Sequence, residues 1–285
     1  MKNNIRQFCF PASAKEASSL MARLGPKAVV VAGGTRHTRM ISPSVETVID
    51  ISDLPLRRIK ADAKGLSIGA LCTIDSLEKS PLLAKWADGV IAKTAGLGSN
   101  ALARAMGTVG GNVVRPHPYN NLPAVFLALD AKAVFTDGKG EKSIPFADMI
   151  AGENMLRFGH KYLLTELRIP AATKGWSAAA ECLSLTKSSW SSYAQVAVAL
   201  DLKGGLIRQA AIAISAVIPK AARMAKAEAL LAGKPAGEEA AREAATAVVT
   251  ELETLTAGAA SRAYGREMAG VLTRRALMTA FGSRP

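Results

Sequence analysis

Two glycine turns are the segments of this sequence best suited to chemistry. The first, Gly33-Gly34-Thr35, follows Lys27-Ala28-Val29-Val30-Val31-Ala32, a short apolar run that reads as a buried strand. A Gly-Gly-Thr turn after a strand can present successive backbone amides to a phosphate with no Cβ in the way, and the Thr35 hydroxyl adds a donor. Arg36 and His37 place positive charge beside it. The second, Gly107-Thr108-Val109-Gly110-Gly111-Asn112, follows the alanine-rich stretch 100–106 and has the same competence. Two such nests on one chain could hold the two phosphates of a dinucleotide. Tight turns that need glycine only for positive φ would read the same way.

Other patterns carry less. Gly96-Leu97-Gly98-Ser99-Asn100-Ala101 fits the glycine fingerprint of nicotinamide-dinucleotide folds, but the residues before it read as helix, and the next acid, Asp130, lies beyond the expected spacing of about 20 residues. Cys9, Cys72 and Cys182 are far apart, and His37, His117 and His160 are not paired at ligand spacing, so no metal site is expected in this chain. The cysteines read as reduced, semi-buried thiols. Ser261 and the serines of 188–192 lack a nucleophile signature, and Asp148, Glu153 and Glu166 read as surface or turn carboxylates. A chain without acid–base machinery of its own fits an electron carrier whose cofactor does the chemistry.

The elements that must position the turns alternate. Ser13-Ala14-Lys15-Glu16 reads as a capping box opening a helix to about Leu24. Strands are predicted over 47–51 and 66–70, short helices after Thr73 and over roughly 83–95, and a helix start at Asn121-Leu122-Pro123. Residues 131–136 and 142–146 read as a hairpin, and 162–169 as a strand ended by Pro170, so the first half is mixed rather than purely parallel. Beyond it, strands over 181–186, 194–200 and 206–217, the last two joined at Lys203-Gly204-Gly205, form a small antiparallel sheet, followed by helices over 221–232, 238–255 and 261–281.

The composition is that of a folded globular protein, with 49% hydrophobic and 21% charged residues in 285. No apolar run approaches the roughly 20 residues of a membrane-crossing helix, and the first residues lack the apolar core of a secretory signal, so a cytoplasmic location is expected. The net charge of +13 is spread, with 24 Lys/Arg against 15 Asp/Glu over residues 1–200 and 12 against 8 over 201–285. With aromatics at 5% and no basic run interleaved with stacking rings, single-stranded nucleic-acid binding is disfavoured, and an anionic ligand or acidic protein partner explains the charge equally well.

The ordered segments Val31-Ala-Gly-Gly-Thr35, Leu66-Ser-Ile-Gly-Ala-Leu71, Ser80-Pro81-Leu82, Gly107 to Asn112, Leu122-Pro-Ala124, Leu163 to Pro170, Tyr193-Ala194, Leu230-Leu-Ala-Gly233, Tyr264 and Leu272-Thr-Arg-Arg275 span nearly the whole chain. In this order they resemble the FAD-binding medium subunits of molybdenum hydroxylases, the family of xanthine dehydrogenase and aerobic carbon monoxide dehydrogenase. The resemblance implies an α+β (mixed α/β) fold: a two-subdomain FAD-binding unit of the vanillyl-alcohol oxidase type over 1–56 and 57–172, and a C-terminal antiparallel sheet with three helices over 176–283. It also implies an electron-transfer subunit taking electrons from the [2Fe–2S] clusters of a small partner, in a complex whose large subunit carries molybdopterin, and passing them to an external acceptor. Metal ligands are then expected in the partners alone. Carried over by position, Val30, Val31, Ala32, Gly33, Gly34, Thr35, Arg36 and His37, with Thr108, Gly110, Gly111 and Asn112, would line the pyrophosphate and ribityl chain of FAD. Leu164 would pack near the flavin or adenine, and Tyr193 would lie beside the isoalloxazine ring.

The chain departs from the family pattern at Asn121 and Ser192, which stand where aspartates are usual, and at Ser184, where a lysine is common and Lys187 is the nearest substitute. Arg36 and His37 also replace small, acidic or apolar residues. The alternative is a flavin-fold scaffold subunit that has lost tight FAD binding.

Overall fold

A computed structural model describes residues 4–35, 41–97, 99–114, 117–151, 160–184, 186 and 192–282. In chain order the first part runs β1 (Gln7–Cys9), α1 (Ala14–Leu24), β2 (Ala28–Val31), β3 (Thr47–Asp50), β4 (Ile59–Asp62), β5 (Gly65–Gly69), α2 (Ile74–Glu78), α3 (Pro81–Ala84), α4 (Val90–Gly96), α5 (Ala101–Met106), α6 (Val109–Val113) and α7 (Leu122–Ala128). It continues through β6 (Lys132–Thr136), β7 (Glu141–Pro145), α8 (Phe146–Ala151) and β8 (Leu163–Pro170). The last part is β9 (Ser177–Ser184), β10 (Ser192–Lys203), β11 (Leu206–Ser215), β12 (Ala222–Arg223), α9 (Ala225–Leu231), α10 (Glu238–Leu255) and α11 (Ala263–Ala280).

The strands of the described residues form three sheets. A parallel sheet has the order β1-β3-β2, an antiparallel one β4-β5-β8-β6-β7, and a second antiparallel one β12-β11-β10-β9. Local chemistry accounts for several boundaries. Ser13 Oγ accepts from the Glu16 N–H, and Glu16 Oε2 accepts from the Ala12 N–H, a reciprocal cap displaced by one residue from the usual box. Gly204 and Gly205 have φ of +60° and +78°, the left-handed pair that a two-residue hairpin between β10 and β11 requires.

Some expectations are corrected. β2 is half-buried rather than buried, because among the described residues it forms an edge of its sheet, with α1 packed against it. The helix expected over 83–95 is broken where Ala87 and Asp88 adopt positive φ. β9 begins at Ser177, four residues early, and α9 begins only at Ala225, because Ala222 and Arg223 pair with β11 as β12. Val90 to Gly96 is helical, so the Gly96 pattern follows no strand.

Three cores hold these layers. One gathers α1 against the parallel sheet, together with Leu71 and Leu163. The largest surrounds α7, all seven residues of which are buried. The third lies between the C-terminal sheet and α9, α10 and α11. The period-2 alternation of β10 and β11 decides which residues enter which core. Ala197, Ala199, Ala211 and Ala213 face the α7 core, whereas Val196, Val198, Leu200, Ile212 and Ile214 face the C-terminal helices. Small residues on one face let α7 lie close against the strands, and branched residues on the other fill the wider space beneath the helices.

Candidate functional site

The two glycine turns meet. Gly33 packs so tightly on the chain before the second turn that a Cβ there would stand 1.8 Å from the Met106 carbonyl oxygen, and 3.3 Å from Gly107 Cα. A Cβ on Gly107 would in turn lie 3.8 Å from Thr35 Oγ1. The adjacent Gly34 has φ +67°, a conformation that bends the chain away from β2 at little cost only for glycine. Val30 and Ala32 pack against the first core, and Thr35 is exposed. Arg36 and His37 lie outside the described residues, as do Lys187 and Glu153.

The turns differ in what they offer a ligand. Among the described residues, no acceptor takes the amides of Gly33, Gly34 and Thr35. Around the second turn every amide but that of Thr108 has an acceptor among the described residues, with Gly107 N–H donating to Ala103 O. Val109 N–H donates to Cys72 O, Gly110 N–H to Ala70 O, Gly111 N–H to Thr108 Oγ1 and Asn112 N–H to Thr108 O. Of the open amide nest expected there, only the Thr108 N–H is left without an acceptor among the described residues, in an otherwise tightly hydrogen-bonded turn. What remains is the bare Cα face of Gly111, where a Cβ would meet nothing closer than Thr108 Oγ1 at 3.1 Å, and the Asn112 side chain. Asn112 Oδ1 is buried without a hydrogen-bond partner among the described residues, an acceptor that a ligand hydroxyl or N–H would satisfy.

From Asn112 a chain of hydrogen bonds leads into the C-terminal sheet. Asn120 Nδ2 donates to Asn112 O at 2.6 Å, and the next carbonyl back, that of Tyr119, accepts from Gln195 Nε2 at 2.9 Å. Gln195 Nε2 also reaches Ser192 Oγ at 2.8 Å, and Ser215 Oγ donates to Gln195 Oε1 at 2.7 Å. Ser192 Oγ lies 3.3 Å from Cys182 Sγ. Ser192, Gln195 and Ser215 are all buried, so each bond is made in a setting where losing it leaves a polar group stranded. Burial also pushes the Cys182 thiol upward, against the pull of its hydrogen bonds to Ser192 and Gln195, so it stands as a neutral thiol.

The network fixes the segment that carries Tyr193. Ser192 pairs with Ser184 and Ala194 with Leu183, so Tyr193 is the extra residue of a β-bulge. Its ring is thrown outward, 45% exposed, onto Tyr264 at the start of α11, with centroids 5.8 Å apart and planes at 85°.

The other expected positions are placed as follows. Asn121 Nδ2 donates to Thr94 O and Leu97 O, both at 2.6 Å, capping the C-terminus of α4, so only its Oδ1 is left for a ligand. Leu164 is buried in the α7 core, one residue before Thr165, whose carbonyl accepts from Ala70 N–H. Ser184 Oγ donates to Thr186 O. Asn120 and Gln195 belong to this network without being singled out by motif reading, and Tyr264, one of the segments that carry the resemblance, is singled out there for no contact with Tyr193. Gln195 had a signal, since an amide inside the apolar run 194–200 must find buried partners. Among the described residues no group of three or more His, Cys, Asp or Glu could hold a metal ion, and no helix is long and apolar enough to cross a membrane.

Residues 3–172 match the family model of the FAD binding domain in molybdopterin dehydrogenase, and residues 187–280 that of the CO dehydrogenase flavoprotein C-terminal domain. The chain is 30% identical to the carbon monoxide dehydrogenase medium chain of Hydrogenophaga pseudoflava over 95% of both chains. It is also 30% identical to the medium chain of that name from Afipia carboxidovorans, over 94% of this chain and 93% of the relative. A solved structure of carbon monoxide dehydrogenase from Hydrogenophaga pseudoflava, lacking the Mo-pyranopterin moiety of its cofactor, superposes with a TM-score of 0.89 at 30% identity over 99% of both chains. Sequence and fold agree along the whole chain, which belongs to the FAD-binding medium subunits of the molybdenum hydroxylase family and is an oxidoreductase subunit.

Proposed function

We propose that this chain binds one FAD across its two glycine turns and serves as the electron-transfer subunit of a cytoplasmic complex. Its partners are a large molybdopterin subunit and a small subunit with two [2Fe–2S] clusters, and it delivers electrons to an external acceptor. The observation that supports the reading is the backbone contact of Gly33 with Met106, which brings the first turn, whose Gly33 to Thr35 amides have no acceptor among the described residues, against the start of the turn that carries Asn112, whose Oδ1 is likewise unpartnered among them. When bound, FAD supplies the redox chemistry. The chain's own residues bind and orient it: the first turn offers amides and the Thr35 hydroxyl to phosphate, and Gly111 admits close approach. Asn112 Oδ1 accepts a hydrogen bond from the ribityl region, and Tyr193 covers the ring. Leu164 contributes through the wall it forms with its core neighbours, and Asn121 through Oδ1.

A visible absorption spectrum of the purified chain, with the released cofactor identified after denaturation, tests this. About one FAD per chain supports it. A folded, colourless chain that takes up no added FAD would instead establish the scaffold reading, which is favoured by the commitment of the Asn121 amide to α4 and of all the second turn's amides but that of Thr108 to the protein.

A further inference from the structure

We infer that Tyr264 is a positioning residue for the flavin: from the C-terminal helix it holds the Tyr193 ring in the orientation that covers the cofactor. This rests on the FAD reading above, in which Tyr193 lies beside the isoalloxazine ring.

The two tyrosines are among the more exposed large side chains of the molecule, at 45% and 56%, and neither ring belongs to a core. Their edge-to-face contact is therefore not a by-product of core packing. The β-bulge at Ser192 to Ala194 leaves Tyr193 without a cross-strand partner, so the ladder alone does not set its ring. Tyr264 supplies that constraint from another element, and a T-shaped pair fixes direction as well as distance.

The start of α11 is built to be steady at this point. Gly265 brings the helix so close to β10 that a Cβ there would lie 3.2 Å from the Tyr193 carbonyl oxygen and 3.6 Å from Val217. Arg262 Nη1 donates to Ala216 O at 3.3 Å, and the Ala216 N–H donates to Pro118 O at 2.9 Å. Ala216 has φ +71° without being glycine, a strained residue held at both its amide and its carbonyl. Arg266, 7% exposed, bonds Thr256 Oγ1 at 3.0 Å and Ala259 O at 2.8 Å, fixing the helix from its other side. Tyr264 thus stands on an anchored helix end, tied through Ala216 to the loop 117–120 whose Asn120 holds Asn112. The ring prop and the ribityl contact share one scaffold.

The test uses the full chain, deflavinated and titrated with FAD, for the parent and for Tyr193→Ala, Tyr264→Ala, the double variant and Tyr264→Phe. Affinity and the position of the bound flavin's visible band are the two readouts. Tyr264→Ala is expected to weaken FAD by about 2- to 10-fold and to shift the band as Tyr193→Ala does. The double variant should be no weaker than Tyr193→Ala alone, because Tyr264 acts only through the Tyr193 ring. Tyr264→Phe, which keeps the ring edge, should restore parent behaviour. Single-variant effects that multiply in the double variant, or a Tyr264→Ala chain with parent affinity and spectrum beside an impaired Tyr193→Ala, would overturn the role of Tyr264 alone. Parent affinity and spectrum in Tyr193→Ala would instead remove Tyr193 from the flavin site, and a chain that binds no FAD would overturn the underlying reading.

Discussion

Gly33 and Met106 touch through their backbones, with room for no atom between the Gly33 α-carbon and the Met106 carbonyl oxygen. Gly33→Ala must push the two turns apart. It is expected to cost about 1–3 kcal/mol of stability and to yield chain with little FAD. Gly111→Ala separates the two requirements, since its new Cβ meets only Thr108 Oγ1 within an α6 position that favours alanine. Its melting temperature should stay close to that of the parent, the gain in helix propensity offsetting the small shift the Thr108 hydroxyl must make, while FAD affinity falls. A Gly111→Ala chain with parent affinity would remove the Gly111 face from the cofactor site.

Asn112 Oδ1 carries a desolvation cost in the free chain that no described protein group repays. Asn112→Ala should therefore leave the free chain as stable as the parent or slightly more so. The same change should weaken FAD by about 5- to 10-fold, the worth of one hydrogen bond. Denaturant titration with and without FAD measures both, and a large loss of stability in the free chain would assign the side chain to the fold instead.

Glu181 lines a cleft shared with Thr94, Asn121, Cys182 and Gln195, and burial raises its carboxyl pKa, partly opposed by Arg275. A folded state that keeps this proton after the unfolded chain has released it loses stability as pH rises through the ordinary carboxylate pKa toward the raised value, and no further above it. Glu181→Gln removes that loss. Its melting temperature should exceed the parent's near about pH 7, with the gap closing below about pH 4. An equal gap at both pH values would point to a cause other than titration.

Arg223 joins parts of the chain distant in sequence. Its guanidinium pairs with Glu228 and with Asp130 at 2.7 Å and reaches the Leu127 carbonyl at the end of α7, while Glu228 Oε1 also accepts from Ile212 N–H. Arg223→Met leaves the half-buried Glu228 without its cation, and should cost about 2–3 kcal/mol in urea unfolding. A cost under about 0.5 kcal/mol would show that solvent already screens these pairs.

Legibility of the fold from sequence followed the range of the interactions involved. Ser13 with Glu16, Gly204 with Gly205, and Pro123 in the first turn of α7 act within a few residues, and each could be read from the residues alone. The need for glycine at 33 was also legible, but its cause, the Met106 carbonyl, comes from a segment more than seventy residues on. The second turn shows the limit most clearly. Its composition suggests free amides, yet Cys72 and Ala70 take two of them, and no local pattern records that long-range pairing. The edge placement of β2 and the bulge at Tyr193 were hidden for the same reason, since register and strand order are settled by partners.

The alanine face of β10 and β11 bears on where this protein can be divided. The division expected from the sequence falls between the units 57–172 and 176–283, but the surface that α7 presents to Ala197, Ala199, Ala211 and Ala213 is sealed by the part beyond that seam. A fragment ending there would expose a greasy helix to water, and the complementary fragment would expose a flat, small-residue sheet with nothing to grip. Neither half is a portable module. Grafting the C-terminal part of a relative onto this chain would succeed only where the incoming strands kept residues as small as alanine on that face, so the joint, more than either half, limits which chimeras assemble.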